Sequence, residues 1–135
     1  MSENLLEIKD LFVEYRTDDG VVQAVSDLQL LIKKGETVGL VGETGAGKTT
    51  TALSIIQLVP NPPGKIVKGE ILFKNNDLLK KKPEQMRRIR GNKISMIFQD
   101  PMTSLNPVMS VGFQIAEAIL LHQRVGKKEA RTKAE

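Results

Sequence analysis

The chain has no cysteine and no tryptophan, and only one tyrosine and one histidine occur among its 135 residues. Without cysteine it can form neither a disulfide framework nor a Cys-ligated zinc or iron–sulfur centre. Its apolar runs are far shorter than the ~20 residues that a membrane-spanning helix needs. Its N-terminus carries neither the basic nor the apolar region of a secretion signal. Any chemistry must therefore come from Lys, Ser/Thr, Asp/Glu, Gln or bound ions.

The rest of the composition is that of an ordinary globular domain. Apolar residues make up 40% of the chain and charged residues 27%, and the length fits one domain with a real core. Twenty basic and 16 acidic residues leave a formal charge of +4. Such a mild excess permits an anionic ligand or membrane surface but requires neither.

The N-terminal region reads as antiparallel β structure. Leu11, Val13 and Tyr15 alternate with their neighbours, and a similar alternation recurs over residues 28–32, which predicts two strands. A turn signal at residues 18–20 precedes a further short strand at residues 21–25. We therefore expect residues 1–36 to form an antiparallel β region.

The pattern changes at residue 37, where a P-loop core of α/β class is predicted over residues 37–99. Residues 37–41 form a short apolar run without alternation, typical of a strand buried on both faces of a parallel sheet. A helix follows over residues 50–59, ended by the prolines from Pro60 onward. Strands are predicted at residues 69–74 and 93–99, with a helix between them over residues 83–90 that Gly91 ends.

Residues 100–135 are predicted to be a loop followed by helices. Ser110 can cap a helix from residue 111 to about residue 123, and a second helical pattern follows Gly126. That pattern runs to the last residue without a stop signal, so we expect the sequence to be a truncated piece of a larger domain.

One segment matches the phosphate-binding pattern G-x-x-x-x-G-K-[ST] in full: Gly42, Glu43, Thr44, Gly45, Ala46, Gly47, Lys48 and Thr49. It lies after a predicted buried strand and before a predicted helix, the context that makes the match meaningful. A chance match in a chain of this length is on the order of 1 in 200.

Each residue type in this segment has a physical reason. Glycines let the backbone wrap closely around phosphates, so that successive N–H groups form an anion-binding nest in front of a helix that the motif predicts to begin near Lys48. Lys48 can place its charge on the β- and γ-phosphates, and the Thr49 hydroxyl can coordinate Mg²⁺. Thr50 can offer its amide or hydroxyl to the α-phosphate. The residues therefore predict a nucleoside triphosphate site without specifying the nucleotide.

A second distinctive stretch, residues 97–107, reads Ile-Phe-Gln-Asp-Pro-Met-Thr-Ser-Leu-Asn-Pro. Together with the phosphate loop it closely resembles the ATP-binding subunits of ABC transporters, and in particular the dipeptide/oligopeptide importer branch. Lys34-Gly35-Glu36 and Arg90-Gly91 are also similar to that branch. The resemblance runs from about Leu5 to Glu135.

The resemblance assigns roles to particular residues. It implies that the ligands are ATP and Mg²⁺, and that residues 42–50 cradle the phosphates. Tyr15 falls where the family places an aromatic ring that stacks on adenine, a contact that contributes ~1–3 kcal/mol by analogy with other base–aromatic pairs. Gln99 falls where the family uses a side-chain amide oxygen to contact the Mg²⁺ site. Lys48 and Gln99 are thus the expected catalytic residues, and Thr49 and Gln99 the expected metal ligands.

The resemblance also implies a function and partners. The complete protein would hydrolyse ATP at the cytoplasmic face of the plasma membrane, as a peripheral subunit that powers import of di- or oligopeptides. Its partners would be transmembrane permease subunits, a second ATP-binding subunit in a head-to-tail dimer and, through the permease, an extracellular peptide-binding protein, with no nucleic acid. The family's signature motif, Walker B strand with catalytic Glu, and switch His do not occur in these residues. The sequence is therefore expected to be the N-terminal portion of a nucleotide-binding domain, incapable of turnover alone.

Other interpretations remain open. Asp100 follows an apolar run and could be a Walker B aspartate that holds Mg²⁺ in a small stand-alone P-loop kinase or GTPase. The chain could also be a non-catalytic nucleotide-binding fragment. His122 lies in an ordinary helical run and is expected to be a solvated helix residue rather than the switch His. The basic residues between positions 80 and 93 are expected to form a solvated face.

Overall fold

A computed structural model describes residues 3–135, so the first two residues of the predicted 1–36 region lie outside it. The chain forms two compact units, one reaching to Met86 and the other spanning Arg87–Glu135. The strands are β1 (Asn4–Thr17), β2 (Gly20–Lys33), β3 (Gly64–Phe73) and β4 (Asn76–Asp77). The α-helices are α1 (Lys48–Ile55), α2 (Pro83–Ile89), α3 (Val111–His122) and α4 (Lys127–Ala134). Two 3-10 turns lie at Leu78–Lys80 and Pro101–Ser104.

The first unit is built on a four-stranded antiparallel sheet in the order β2-β1-β3-β4. The predicted antiparallel start of the chain is confirmed, with the hairpin turn between Thr17 and Gly20. The two predicted strands at residues 21–25 and 28–32 are one continuous strand, β2. The sheet also recruits β3 and β4 from beyond residue 36, so antiparallel structure extends further along the chain than predicted.

Backbone irregularities at two aspartates interrupt the alternation of side chains along the two long strands. Asp10 in β1 and Asp27 in β2 both have positive φ, 49° and 50°, and pairing is irregular around both. Each irregularity moves the inward-facing positions by one residue, because side chains alternate strictly along a regular strand. The buried residues of β1 therefore change from even positions (Leu6, Ile8) to odd ones (Leu11, Val13). The Gln29 side-chain amide donates to both aspartate carboxylates, at 2.6 and 3.1 Å.

The core of the first unit lies on one face of this sheet. Its buried apolar residues are Leu6, Ile8, Leu11, Val13, Val25, Ile56, Ile71, Leu78 and Met86. Because β1, β2 and β3 all contribute to it, the hairpin and the later strands bury one common surface.

Helix α1 ends about one turn earlier than predicted. Gln57 has a φ of 53°, its N–H donates to the Ser54 carbonyl at 3.1 Å, and the Leu58 N–H donates to the Leu53 carbonyl at 2.8 Å. This bond pair is a Schellman motif, which satisfies the last carbonyls of a helix. The motif usually has glycine where Gln57 stands, so only the prolines further on signalled a stop.

The prediction of strands at residues 37–41 and 93–99 was wrong for this structure. Neither segment forms a strand within residues 3–135; Ile94, in the second segment, makes a single parallel bridge with Arg90. Val41 is 95% exposed and Ile97 is 94% exposed. A parallel strand obtains its hydrogen bonds and its burial from neighbouring strands and covering helices. No described strand lies beside either run, so their apolar side chains face outward.

The second unit contains both helices that were predicted within residues 100–135. α3 begins after Ser110, whose hydroxyl accepts a hydrogen bond from the Phe113 N–H at 3.3 Å. α3 packs on α4, with Ala116 and Ala130 buried. Among the described residues, no helix has both the length and the hydropathy to cross a membrane.

Candidate nucleotide-binding site

The phosphate loop leads directly into α1, which starts at Lys48 as the motif predicts. Within the loop the Ala46 N–H donates to the Glu43 carbonyl at 3.0 Å, which closes a turn. Gly45 lies inside that turn with a φ of 86°, and Gly47 has the same φ at the N-cap of α1. L-residues rarely adopt such a conformation, so glycine at these two positions is required by the backbone.

Gly47 is also packed against the hairpin. A Cβ added to Gly47 would overlap the Ala24 carbonyl oxygen of β2 and lie 3.3 Å from Val25 Cγ2. The loop therefore rests on β2 at this point, and nothing larger than glycine fits between them. Sequence reasoning gave Ala24 and Val25 no part in the site, because this contact joins positions more than 20 residues apart.

The ammonium of Lys48 lies over the loop. Its Nζ donates to the Gly42 carbonyl and is 3.4 Å from the Glu43 carbonyl. These backbone oxygens are neutral dipoles, whereas a phosphate carries full negative charge and would bind the ammonium more strongly. The arrangement keeps the charge of Lys48 beside the loop amides, where it can bind an anion.

Helix α1 is fixed by its own buried polar residues. Thr51 Oγ1 donates to the Gly47 carbonyl at 2.8 Å, and Ser54 Oγ donates to the Thr50 carbonyl at 2.7 Å. Both side chains are buried and both are satisfied within the helix. Thr49 lies exposed in the first turn of α1, beside the loop. The positive end of the helix dipole therefore faces the loop with a hydroxyl next to it.

Tyr15 is brought to the same region from β1. Its side chain is half-buried, and its hydroxyl lies 3.5 Å from Thr50 Oγ1. The structure thus groups Tyr15, Thr50, Lys48 and the loop glycines in the first unit. An aromatic ring beside a phosphate-binding loop is the arrangement that a nucleotide needs for its base and its phosphates.

Gln99 and Asp100 belong to the second unit. Gln99 is exposed. The Asp100 carboxylate accepts a hydrogen bond from the Met102 N–H at 3.1 Å, and the Asp100 carbonyl accepts one from Thr103 Oγ1 at 3.0 Å. Asp100 therefore caps the 3-10 turn at Pro101–Ser104.

The chain is similar in sequence to a known protein family and to several named proteins. Residues 25–134 match the family model described as ABC transporter. The chain belongs to the ABC transporter family. It is 47% identical over 130 residues to the oligopeptide transport ATP-binding protein OppD of Bacillus subtilis. This alignment covers 96% of the present chain and 36% of OppD. It is 49% identical over 129 residues to the dipeptide transport ATP-binding protein DppD of the same organism, covering 96% of this chain and 38% of that protein.

The fold of this ABC family chain also matches solved structures. A dimeric ATP-binding cassette in a post-hydrolysis state, bound to ADP and Pi, aligns with a TM-score of 0.81 at 24% identity. The match covers 96% of this chain and 54% of that one. The α/β cassette fold with an N-terminal antiparallel sheet is therefore confirmed. The chain spans little more than a third of the length of the two Bacillus relatives.

Within the ABC chain the capping role of Asp100 leads to a prediction. Asparagine caps helix N-termini about as well as aspartate does, so Asp100→Asn in the complete protein that the sequence predicts is expected to keep the turn and to leave its ATP hydrolysis within about twofold of wild type. Asp100→Ala should lower the free energy of unfolding by ~1 kcal/mol through loss of the cap. Phosphate release and thermal denaturation measure the two effects. Activity abolished in a normally folded Asp100→Asn protein would instead identify Asp100 as an Mg²⁺ ligand.

His122 differs from its prediction. Its side chain is half-buried rather than solvated. A Cβ added at Gly91 would lie 3.1 Å from His122 Nε2, so the imidazole packs close to the turn that follows α2. Helical periodicity alone did not indicate this contact, because Gly91 precedes the helix by 20 residues.

The residues at the loop fit a phosphate better than they fit a pre-built metal centre. Within residues 3–135, no group of three or more His, Cys, Asp or Glu side chains is arranged to hold a metal ion. The Thr49 hydroxyl lies at the start of α1, and Mg²⁺ bound at such sites takes its other ligands from the nucleotide phosphates and water. The chain therefore fits Mg²⁺ that arrives with a triphosphate.

Proposed function

We propose that this chain supplies the ATP-binding part of a subunit that hydrolyses ATP to power import of di- or oligopeptides through an ABC transporter. The observation that carries the proposal is the complete phosphate loop, packed on the hairpin and opening α1, beside Tyr15. The printed names of the relatives at 47% and 49% identity support the peptide substrate.

The proposal gives each site residue a task. Lys48 binds the β- and γ-phosphates, and the backbone around Gly42, Gly45 and Gly47 follows the phosphates closely. The intervening Glu43, Thr44 and Ala46 carry the backbone of the cradle, and Thr50 meets the α-phosphate. Thr49 would be one ligand of Mg²⁺ and Gln99, on the resemblance alone, another; the bound ion would neutralise charge on the transferring phosphoryl group.

The partners follow from the same proposal. The subunit lies peripherally at the cytoplasmic face of the plasma membrane, against permease subunits that receive peptide from an extracellular binding protein. A second ATP-binding subunit joins it head to tail, and nucleic acid has no part. The similar fold of a dimeric cassette supports the dimer. The predicted division into residues 1–36, 37–99 and 100–135 remains a prediction.

Uptake of labelled peptide by proteoliposomes tests the function. The complete ATP-binding subunit and its permease are expected to import di- and oligopeptides only when Mg·ATP is supplied on the side of that subunit. Import that proceeds equally without ATP, or a protein that binds no nucleotide in calorimetry, would contradict the proposal.

Tyr15 gives a prediction about the base. Tyr15→Ala is expected to weaken binding of ATP by ~1–3 kcal/mol, because the stacking surface is lost. Tyr15→Phe and Tyr15→Trp should keep wild-type affinity, since a ring of any kind can stack and the 3.5 Å contact to Thr50 is long for a hydrogen bond. Titration with a fluorescent ATP analogue checks this, and wild-type affinity in Tyr15→Ala would return Tyr15 to a packing role.

A further inference from the structure

Gly64 lies directly opposite Tyr15 in the sheet. The two residues are the last described pair in the antiparallel ladder between β1 and β3. The Arg16 N–H donates to the Pro63 carbonyl at 2.9 Å just beyond this pair, so the backbones of the two segments are held together there. Gly64 is buried.

The space around Gly64 is too small for any side chain. An added Cβ would lie 2.6 Å from Val59 Cγ1, 2.7 Å from the Pro60 carbonyl oxygen and 2.9 Å from Tyr15 Cε1. The φ of Gly64 is not in the left-handed region, so an alanine could adopt this backbone. Glycine is therefore needed here for room and not for conformation.

Of these three neighbours, the Pro60 carbonyl is held by the backbone, whereas the Val59 and Tyr15 side chains can move. The Pro60 carbonyl accepts the Gly64 N–H at 2.6 Å, which fixes the carbonyl within the turn. The Tyr15 ring turns about single bonds, and its hydroxyl end reaches the first turn of α1 at Thr50. A methyl group at Gly64 would push the ring at Cε1 and rotate its face.

We propose that Gly64 is a positioning residue that sets the plane of the Tyr15 ring and thereby the affinity of the site for the base of its nucleotide. The proposal rests on the stacking role proposed above for Tyr15. Stacking needs the ring face turned towards the base, so a rotated ring loses the contact although the tyrosine is still present. Gly64 acts only through Tyr15 and leaves the phosphate loop unchanged.

The test compares a ligand that has a base with one that has none. ATP and inorganic tripolyphosphate, each with Mg²⁺, are titrated calorimetrically into purified wild-type, Gly64→Ala, Tyr15→Ala and doubly substituted protein. Gly112→Ala is the matched control, because an added Cβ there meets nothing within 4 Å. Thermal denaturation of each variant sets a temperature at which all are folded.

We expect Gly64→Ala and Tyr15→Ala each to weaken ATP by about tenfold, and tripolyphosphate by less than about twofold. The double variant should be no weaker than Tyr15→Ala by more than about twofold, because both substitutions remove one contact. If Gly64→Ala does not fold, Gly64→Ala in a Val59→Ala background replaces it. That variant removes the overlap with Val59, keeps the overlap with the ring, and should show the same loss for ATP alone.

Three results would overturn the inference. In the first, Gly64→Ala binds ATP with wild-type affinity while Tyr15→Ala binds it more weakly. In the second, Gly64→Ala loses affinity for ATP and for tripolyphosphate equally. In the third, the double variant binds ATP about a hundredfold more weakly than wild type, so the two losses multiply. Wild-type affinity in Tyr15→Ala would instead refute the stacking role itself, so that failure is distinguishable from failure of the role of Gly64.

Discussion

Replacing Lys48 with alanine is expected to abolish ATP hydrolysis by the complete protein proposed above and to weaken binding of the triphosphate far more than binding of adenosine. The Lys48 ammonium lies over the loop at the Gly42 and Glu43 carbonyls, where an incoming phosphate would replace these dipoles. A hydrogen bond to a charged group contributes ~1.5–3 kcal/mol, so the affinity for ATP should fall by about 10- to 150-fold. Adenosine has no phosphate and should bind within about twofold of wild type.

Calorimetric titration with both ligands, together with a phosphate-release assay, measures this difference. Lys82→Ala is the matched control, since it removes the same charge from an exposed position outside the loop. Equal loss of ATP and adenosine binding in Lys48→Ala would mean that the substitution unfolds the site, and the role of Lys48 on the phosphates would have to be abandoned.

The second large effect is a loss of stability, which is expected to be greater for Gly47→Ala than for Gly45→Ala. Both glycines have a φ of 86°, so alanine at either position should cost about 1–2 kcal/mol of backbone strain. Only Gly47 is crowded: an added Cβ overlaps the Ala24 carbonyl oxygen, whereas at Gly45 it meets nothing within 4 Å. Overpacking typically costs a further ~1–3 kcal/mol. Gly47→Ala should therefore lower the free energy of unfolding by about 2–5 kcal/mol in total.

Denaturant unfolding of the two alanine variants isolates the contact with β2. Because φ is the same at both glycines, the difference between the free energies of unfolding of the two variants reports the overlap with Ala24. Equal destabilisation of Gly45→Ala and Gly47→Ala would show that the loop does not rest on the hairpin in solution.

Local signals in the sequence were sufficient for the loop and most helices. The phosphate-loop pattern placed the start of α1 at Lys48, and Ser110 and Gly91 marked helix boundaries that the structure confirms. Caps and loop glycines act within one or two turns of chain, so a short window of sequence contains their whole physical cause.

Features that depend on distant partners could not be predicted. At Asp10 and Asp27 the inward-facing positions shift by one residue, which interrupts the alternation of apolar and polar residues. Each long strand therefore looks in the sequence like separate short strands. One of the three atoms that crowd Gly64 belongs to Tyr15, nearly 50 residues earlier in the chain, whereas the prolines before Gly64 indicated only the end of a helix. Residues 37–41 were predicted to be a strand but do not form one. An apolar run forms a strand only where neighbouring strands are present to pair with it.

The β1–β2 hairpin carries both ends of the proposed nucleotide site. Tyr15 of β1 pairs with Val22 of β2, and Gly47 of the loop rests on Ala24, two residues further along the same strand. If Tyr15 binds the base and the loop binds the phosphates, as proposed, the pairing of β1 with β2 sets the distance between these two contacts. Deleting one residue of β2 between these points would shorten the span by about 3.4 Å and turn the following side chains to the opposite face. Such a protein would keep every sequence motif of a nucleotide site. It would bind adenosine or tripolyphosphate separately, but it would not bind ATP through both contacts at once.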